Sequence, residues 1–457
     1  MNKQNKGMRT FIIIWLGQLV SMIGSGLIGF ALGIWIYTET GQATPFAMTA
    51  LFSVLPRIFL SPITGAISDR WNRKRIMLIS DSLSGVATLV TAALLLTGRM
   101  EIWMVYTITF FGSIFASFQQ PAYSASIVLL VPKSQLTRAS SLIQMGQALE
   151  TILTPILAGA LISTIGMDGI IIIDIVTYLI AICTLVFVTI PQPEKKEVPA
   201  GRKTSLLSDV VFGWRYLAER RGLLNLMIYF ASVNFFLNIC GVMISPLVLS
   251  FSSAASLGVA QTVLGTGMLA GSLLMSVWGG PKKKKINSVI GFIALASMGF
   301  VVAGLQSSMV FICAGAFILM FFIPFASGPS TAINAAKVAP EVQGRVSATR
   351  SMIAQSMMPL AFILSGILAD KVFNPLLVEG GALADTFVGA WIGVGEGRGI
   401  GLMMICSGLF LFIVSGLAYA NPRIRNIETE IPDAIPDDPV ESAQPEKEKP
   451  QPSPAAG

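Results

Sequence analysis

The sequence has no histidine and little charge of either sign. Only 12% of its 457 residues are Asp, Glu, Lys or Arg, whereas 53% are hydrophobic. Without histidine, zinc sites of the usual type are excluded, and a proton-linked step near neutral pH must rely on carboxylates. A mean hydropathy of +0.73 also excludes an ordinary water-soluble domain.

Cysteine is scarce as well. Cys183, Cys240, Cys313 and Cys406 lie far apart inside apolar runs, so we interpret them as small core residues rather than as metal ligands or disulfides. We therefore expect no cofactor and no metal site. We also expect no enzyme, because the sequence offers no histidine, no metal-ligand cluster and no nucleophile motif.

What the sequence does contain is a long series of apolar segments. Runs of about 20 residues or more, nearly free of charge, recur between short polar breaks, and each is long enough to cross a bilayer as a helix. The runs do not alternate in polarity, so helices are expected rather than barrel strands. The predicted fold is an all-α membrane protein with twelve transmembrane helices, at 11–37, 44–66, 76–97, 102–127, 139–165, 170–190, 224–251, 257–279, 286–305, 309–333, 346–370 and 399–420.

The basic residues lie almost entirely on one side of these predicted spans. The breaks that include both termini hold 26 of the 31 Lys and Arg residues, against Arg99, Lys371 and Arg398 on the other side. Because cytoplasmic loops are enriched in Lys and Arg, we expect a multi-pass cell-membrane protein with both termini in the cytoplasm. Clusters such as Lys282–Lys285 sit at span ends, where they orient helices or contact membrane lipid, so the net charge of +7 does not indicate nucleic-acid binding.

The longest polar break divides the spans into two sets of six. We predict an N-terminal six-helix bundle at 1–190, a cytoplasmic linker with an amphipathic helix at 191–223, a C-terminal six-helix bundle at 224–425 and a disordered cytoplasmic tail at 426–457. The glycine-rich external loop at 374–398 has no predicted structure.

The two halves carry traces of an internal duplication. Pro121, Pro132 and Gln135 reappear 208 residues later as Pro329, Pro340 and Gln343, and Arg73–Ile76 has a counterpart in Lys283–Ile286. Parallel repeats of this kind occur in secondary transporters, which bind substrate between the halves near mid-membrane.

The loop after the second span combines one acid with several bases. Residues 65–75 read GAISDRWNRKR. An acid beside bases at a helix junction can form an ion-pair network that holds one arrangement of two packed halves. A simple cytoplasmic anchor would explain the bases but neither the acid nor the glycine. We predict a conformational clamp formed by Gly65, Asp69, Arg70, Arg73 and Lys74.

This loop resembles the G-x-x-x-D-R-x-x-R-[KR] signature of the major facilitator superfamily, and the chain is identified as a member on this motif and its six-plus-six spans. Within that superfamily it looks most like the bacterial drug-efflux branch that includes macrolide and siderophore exporters. The residues that carry this likeness are Trp15, Gly17, Gln18 and Ser21, then Gln120-Pro121-Ala122 with Val131-Pro132, and Val342-Gln343-Gly344-Arg345-Val346.

The chain departs from that branch in two places. Its fourth span has no arginine where proton-coupled drug exporters often carry one. Its fifth span reads Thr154-Pro155-x-x-Ala158-Gly159, which matches the antiporter motif G-P-x-x-G-G only in part.

Ionisable residues inside the spans are the best functional candidates, because each costs about 2.5 to 3.5 kcal/mol at a helix centre unless it is paired or hydrated. Glu150 and Arg57 lie at matching depths, about 15 Å from the cytoplasmic ends of their helices. Glu150 is the predicted proton-coupling group, with Asp81 and Asp174 as further candidates. The alternative for each is an ion pair that fixes helix packing.

Uncharged polar residues at middle depths complete the predicted substrate cavity. Helix-to-helix hydrogen bonds are the alternative explanation for about half of them. With Arg57, the predicted cavity residues are Gln18, Ser21, Gln144, Gln147, Asn234, Asn238 and Gln261.

The predicted function is secondary active export of a lipophilic or amphiphilic small molecule of drug, macrolide or siderophore type, by alternating access with proton antiport. A monomer is expected. The alternative on the same fold is an importer or uniporter of a small metabolite. A non-transporting membrane receptor or scaffold would need a soluble recognition domain or a long structured loop, and neither is evident.

Overall fold

The computed structural model describes residues 3–132, 135–188, 190, 214–215, 219–281, 284–338 and 343–430. Within these ranges there is no β-strand, and twelve helices are long and apolar enough to cross a membrane. We number these twelve as α1 (Lys3–Thr40), α2 (Ala43–Arg70), α3 (Arg73–Leu96), α4 (Ile102–Leu130), α5 (Leu136–Thr164), α6 (Gly166–Phe187), α7 (Arg221–Leu249), α8 (Ala254–Trp278), α9 (Lys285–Leu305), α10 (Met309–Lys337), α11 (Gln343–Leu368) and α12 (Arg398–Ala420).

Tight turns separate successive helices. Gly41, between α1 and α2, has a φ of +63°, which favours a residue without a Cβ. The Asn72 side chain accepts a 3.1 Å hydrogen bond from the Arg75 backbone N–H and caps α3. Ser253 caps α8 by accepting from the Ser256 N–H at 3.3 Å. Each turn therefore reverses the chain within a few residues, and neighbouring helices run antiparallel.

The antiparallel course gives the bundle two ends. The end at which α1 begins and α2 stops carries Arg73, Lys74 and Lys285, and we call it the basic end. The opposite end, where α1 stops and α2 begins, is called the far end. The far end carries the turns at Gly41, Gly98 and Gly166 and the segment between α11 and α12.

The helices pack as two sets of six. In the first set α1 packs on α5 and α6, and α3 packs on α4 and α6. In the second set α9 packs on α10 and α12, and α7 packs on α11. The sets meet where α5 packs on α8 and where α2 packs on α11. These two seams are the contacts across which the halves would have to move.

The segment from the end of α11 to α12 is folded. A π-helical turn, Ala369–Phe373, continues α11 into a short helix at Asn374–Leu377, and another short helix spans Phe387–Ile392. The Gly395 N–H donates to the Leu377 carbonyl at 2.8 Å and ties the two ends of the segment together. The external loop, which had no predicted structure, is therefore a folded cap at the far end.

The predicted disordered tail begins too early at Asn426. Residues Ile427–Glu430 form a short helix, because Ile427 is fully buried against the second half. The Glu428 carboxylate accepts from the Lys285 backbone N–H at 3.0 Å, and the Glu428 backbone carbonyl accepts from Lys337 Nζ at 2.6 Å. Residues 431–457 and nearly all of the predicted linker helix lie outside the described residues.

Candidate functional site

A cavity of about 770 Å³ lies inside the first half. All six helices α1–α6 contribute to its wall, and every described residue that lines it belongs to them. Apolar side chains such as Met22, Ile28 and Leu32 alternate around it with uncharged polar ones. The polar and ionisable lining residues include Gln18, Ser21, Ser25, Arg57, Ser84, Thr88, Gln119, Gln147, Glu150, Asp174 and Tyr178.

Asp81 is held behind this wall by two amide side chains. Gln18 Nε2 on α1 donates to Asp81 Oδ2 at 3.0 Å, and Gln119 Nε2 on α4 donates to Oδ1. Gln119 Nε2 also donates to Gln18 Oε1 at 2.6 Å. Asp81 is fully buried, and both of its oxygens have donors. The three residues join α1, α3 and α4 in one hydrogen-bonded group, in which Gln18 and Gln119 line the cavity and Asp81 lies behind them.

Asp174 has a different environment. It is fully buried on α6 and lines the cavity. Thr88 Oγ1 on α3 donates to its Oδ2 at 2.7 Å. Its Oδ1 has no hydrogen-bond partner among the described residues. A buried carboxyl with one free oxygen is costly in a membrane-spanning bundle, which favours a functional role for this group.

Tyr178 lies between the two aspartates. It is one helical turn from Asp174 on α6 and interacts electrostatically with both Asp174 and Asp81. Ser25 Oγ on α1 donates to the Tyr178 hydroxyl at 2.9 Å, and the hydroxyl is also hydrogen-bonded with Ser84 on α3. The polar groups of α1, α3 and α6 thus form a row, with gaps, through the first half.

The sequence signal for this row of polar groups is a polar stripe on α3. Asp81, Ser84, Thr88 and Thr91 are spaced by three and four residues and all are buried. Such spacing places them on one helix face. This stripe would have identified the inward face of α3, whereas the pairing with Gln119 and Tyr178 depends on tertiary contacts that spacing does not reveal.

Glu150 and Arg57 face the same cavity from α5 and α2. The two residues interact electrostatically, as their matching depths predict. Glu150 is half-buried and Arg57 is exposed. Gln147, one turn before Glu150, lines the cavity too. A carboxylate and a guanidinium that share a cavity wall can pair with each other in one state and contact a substrate in another.

Four predicted cavity residues lie outside this cavity: Gln144, Asn234, Asn238 and Gln261. Two of them use their amides within α7. Asn234 Nδ2 donates to the Phe230 carbonyl at 2.8 Å, and Asn238 Nδ2 donates to the Asn234 carbonyl at 2.7 Å. The observed cavity therefore differs from the expected one between the halves, because its wall is built from the first half.

At the basic end, the two described bases of the predicted clamp bind carbonyl oxygens. Arg73 Nη1 donates to the Ala125 carbonyl near the end of α4 at 2.9 Å. Lys74 Nζ donates to the carbonyls of Val186 and Val188 at 2.9 and 2.7 Å. These bonds tie the start of α3 to α4 and α6. The side chains of Asp69 and Arg70, and the surroundings of Gly65, lie outside the described part of the structure, so the clamp remains a prediction.

At the far end, the halves are in close contact. A Cβ added to Gly159 on α5 would lie 2.7 Å from the Ala254 carbonyl oxygen, and one added to Gly258 on α8 would lie 2.5 Å from the Pro155 carbonyl oxygen. Both distances are shorter than real Cβ contacts. The partial antiporter motif of α5 therefore forms the seam between the halves.

A carboxylate, Asp370, joins the other seam. Its Oδ1 accepts from the Ala43 N–H at 3.0 Å and its Oδ2 accepts from the Thr44 N–H at 2.7 Å. These amides are the first of α2, where a negative charge is favoured by the helix dipole. Asp370 follows α11, so this contact fastens the second half to the first. We name it the α2–Asp370 contact; the sequence analysis did not identify it.

Across the described ranges, no group of three or more Cys, Asp and Glu side chains is placed to hold a metal ion.

Comparison with known proteins gives a consistent family. The family model described as Major Facilitator Superfamily matches residues 14–362. Macrolide efflux protein A of Streptococcus pyogenes is 28% identical over 376 residues, which cover 81% of this chain and 92% of that protein. The multidrug efflux pump Tap of Mycobacterium tuberculosis is 24% identical over 456 residues, covering 97% of this chain and 100% of that protein.

Solved structures agree on the fold. A bacterial homolog to the human lysosomal transporter Spinster, in an inward-facing and unoccupied conformation, aligns with a TM-score of 0.66 at 16% identity, over 90% of this chain and 96% of that one. The nucleoside transporter NupG aligns with a TM-score of 0.64 at 11% identity, over 89% of this chain and 98% of that one. With the twelve helices described above, these alignments confirm the predicted all-α transmembrane fold.

Proposed function

Because the chain belongs to the Major Facilitator Superfamily, we propose that it is a bacterial drug-efflux transporter that exports a lipophilic or amphiphilic small molecule by proton antiport. The observation that carries the proposal is the cavity of the first half, in which Glu150 and Arg57 face each other among apolar and uncharged polar side chains. The names of the two relatives, macrolide efflux protein A and multidrug efflux pump Tap, support export as the direction.

The composition of the cavity wall supports the substrate class. Most lining side chains are apolar or uncharged, and the charged or chargeable ones are Arg57, Glu150, Asp174 and the tyrosines. A wall of this kind binds a drug-sized, mainly apolar molecule and orients it through few polar contacts. A rigid, highly charged substrate would need several basic groups, and Arg57 alone contributes one here.

The positions of the seams support alternating access. The described close contacts between the halves, at Gly159, Gly258 and Asp370, lie toward the far end. In the proposed orientation the basic end is cytoplasmic, because positively charged loops stay inside. The far end then faces outward, and the structure corresponds to the state closed to the outside. Opening it would require both seams to separate.

Glu150 is the proposed proton-coupling group. The chain has no histidine, so a carboxylate must alternate between protonated and ionised forms. Rocking of the halves would change the access of water to Glu150 and Arg57, since their helices, α5 and α2, form the two seams. Proton exchange and substrate exchange would then depend on the same conformational step.

The test uses Glu150→Gln, which mimics the protonated form. In proteoliposomes we expect it to lose transport of radiolabelled erythromycin driven by a pH gradient while it keeps exchange without a gradient. Glu39→Gln, at an exposed carboxylate at the far end of α1, is the matched control. Gradient-driven transport by Glu150→Gln at the wild-type rate would remove Glu150 from the coupling mechanism. Uptake into cells instead of efflux would favour the importer.

The orientation has its own test. In a variant whose four native cysteines are replaced, Gly41→Cys and Gly380→Cys should react with an impermeant thiol reagent added to intact cells, and Ser205→Cys should not. Labelling of Ser205→Cys from outside would reverse the proposed topology. We further propose that the chain acts as a monomer, because one chain supplies the whole cavity wall, and that its basic loops contact membrane lipid.

A further inference from the structure

Two buried aspartates in the first half have complementary hydrogen-bond environments. Both oxygens of Asp81 accept from amide donors, so the group is fully satisfied as an anion. Asp174 accepts from Thr88 alone, and its Oδ1 has no partner among the described residues. An oxygen without a donor is the natural place for a bound proton. These environments favour the ionised form of Asp81 and leave Asp174 Oδ1 free to bind a proton.

Polar side chains, separated by gaps, lie between the two aspartates. Asp81 and Thr88, which binds Asp174, are seven residues apart on α3, about 10 Å at helical rise. Ser84 lies between them on the same face, and the Tyr178 hydroxyl is hydrogen-bonded with both Ser84 and Ser25. Because Ser84, Ser25, Tyr178 and Asp174 all line the cavity, the remaining gaps are bordered by groups that suit bridging water.

The two aspartates also lie toward opposite ends of the bundle. Asp81 is eight residues from the start of α3 at the basic end, and Asp174 is eight residues from the start of α6 at the far end. A proton moved from one to the other would cross much of the middle of the first half. Packing alone does not require two carboxyl groups at these places.

From this geometry we propose that Asp174 and Asp81 are the two ends of a proton relay through the first half, with the Tyr178 hydroxyl as its bridge. In each transfer, the Tyr178 oxygen accepts the proton held on Asp174. The Tyr178 hydroxyl then releases its own proton toward Asp81. Asp174 becomes ionised and Asp81 becomes protonated, so charge and protons balance. The relay rests on the proposed proton antiport and supplies its route.

Other titratable groups near this path are few. From α6 Tyr178 faces both aspartates, from α4 Tyr123 lines the same cavity, and Glu150 on α5 and Arg57 on α2 stand on its wall. The described α1 residues that line the cavity are uncharged. At the basic end of α3, Arg73 and Lys74 bind carbonyls of α4 and α6. Glu150 is therefore the group beside the substrate that would exchange a proton with the relay, in either direction.

The decisive variant is Tyr178→Phe, which removes only the bridging hydroxyl. In proteoliposomes we expect gradient-driven transport of radiolabelled erythromycin, with ethidium as a second probe, to fall by about a hundredfold. Binding of both probes and their exchange without a gradient should fall by much less than the driven rate, because Phe keeps the shape of the cavity wall. Proton movement on addition of the probe, reported by a pH-sensitive dye, should fall with the gradient-driven rate.

Tyr229→Phe is the matched control. The Tyr229 hydroxyl is also buried and hydrogen-bonded with a serine, Ser415, at 3.0 Å, but it belongs to α7 in the second half and does not line the cavity, so its loss should leave gradient-driven transport within about twofold. Asp174→Asn should behave as Tyr178→Phe does, and Asp174→Glu, which keeps a carboxyl group, should restore part of the rate. A general packing defect would instead lower exchange and binding together with driven transport, and that result in Tyr178→Phe would overturn the relay.

The outcomes separate the two proposals. If the wild type transports neither probe under a pH gradient, proton antiport is overturned and the relay with it. A different result separates antiport from the relay: a pH gradient drives transport by the wild type and not by Glu150→Gln, while Tyr178→Phe keeps the full rate and the full proton signal. In that case proton antiport stands and the relay is wrong.

Discussion

The two six-helix halves differ most in what their interiors contain. The first half has Asp81, Glu150 and Asp174 inside its helices, and most of its buried apolar side chains fall into three separate clusters. From Arg221 to Leu368 the second half has a single carboxylate, Glu341, which falls between α10 and α11 in the chain. Its apolar side chains form one continuous cluster.

Corresponding helices make the contrast concrete. In the predicted repeat Ile76 matches Ile286, so the polar stripe of α3 corresponds to four positions of α9. Asp81, Ser84, Thr88 and Thr91 are replaced there by Gly291, Ala294, Met298 and Val301. At Gly299 and Gly315, α9 and α10 approach so closely that a Cβ on either would contact the other backbone within 2.5 Å. The first half thus contains the buried carboxylates, and the second half is closely packed and apolar at the corresponding positions.

The largest expected effect comes from removing a carboxylate of the first half. Asp81→Asn keeps the size of the side chain but cannot take up a proton, so gradient-driven transport should fall by about a hundredfold. The measurement is erythromycin transport in proteoliposomes. Ser297→Ala, at a buried polar residue of α9, is the second-half control and should change the rate by less than about twofold. Equal losses in both variants would erase the contrast between the halves.

The loop between the second and third helices of each half offers the next comparison. The first-half loop contains Asp69, whereas the corresponding second-half segment reads GGPKKKK at 279–285 and has no acid. Asp69→Asn should lower transport by about thirtyfold with normal expression, because a charge-assisted contact contributes about 2 kcal/mol. Transport by everted vesicles is the assay, and Lys284→Gln is the control. An unchanged rate in Asp69→Asn would reduce this loop to an orientation anchor.

A smaller effect is expected at the seam where the halves meet. Gly258→Ala would place a methyl group against the Pro155 carbonyl. Overpacking of about 1 to 2 kcal/mol should open the far end and lower transport by about tenfold. Thiol labelling of a cysteine near the seam should rise. Gly241→Ala on α7 is the control, since no atom lies within 4 Å of its added Cβ. If labelling stays low in Gly258→Ala, the seam tolerates the methyl group.

The smallest effect is predicted for the α2–Asp370 contact. Asp370→Asn loses the negative charge at the start of α2, which should shift the balance between the two conformations by about threefold. The same labelling assay measures it, and Asp385→Asn, at an exposed carboxylate of the same segment, is the control. A shift of the same size in Asp385→Asn would mean that general surface charge, rather than this contact, is responsible.

Much of the fold could be predicted from the sequence, because charge-free runs of span length leave the backbone few alternatives to helices. The site was harder. Asp81, Asp174 and Glu150 stand out as rare carboxylates, and all three lie at or directly behind the cavity wall. Asn234 and Asn238 look equally suited to a cavity, yet their amides bind carbonyls of their own helix. Periodicity cannot distinguish these cases when nearly every face of a helix is apolar.

The residues that the sequence did not identify share a physical cause. Gln119 and Tyr178 matter because side chains from α1 and α3 reach them, and Asp370 matters because the start of α2 lies beside it. All three are tertiary pairs with partners 38 or more residues away in the chain. The short helix at Ile427–Glu430, which lies inside the predicted disordered tail, also depends on a tertiary contact, because Ile427 is buried in the apolar cluster of the second half.

The folded segment between α11 and α12 has a practical consequence for work on whole cells. Its ends are fastened by the backbone bonds from Gly395 to Leu377 and from Leu383 to Leu376, while Glu379 and Gly380 at its tip are exposed. Exposed loop tips tolerate inserted sequence well. An epitope tag placed after Glu379 would therefore be displayed on the outer surface in the proposed orientation, clear of both seams. Antibodies could then count and sort cells by surface copies of the transporter without opening the membrane.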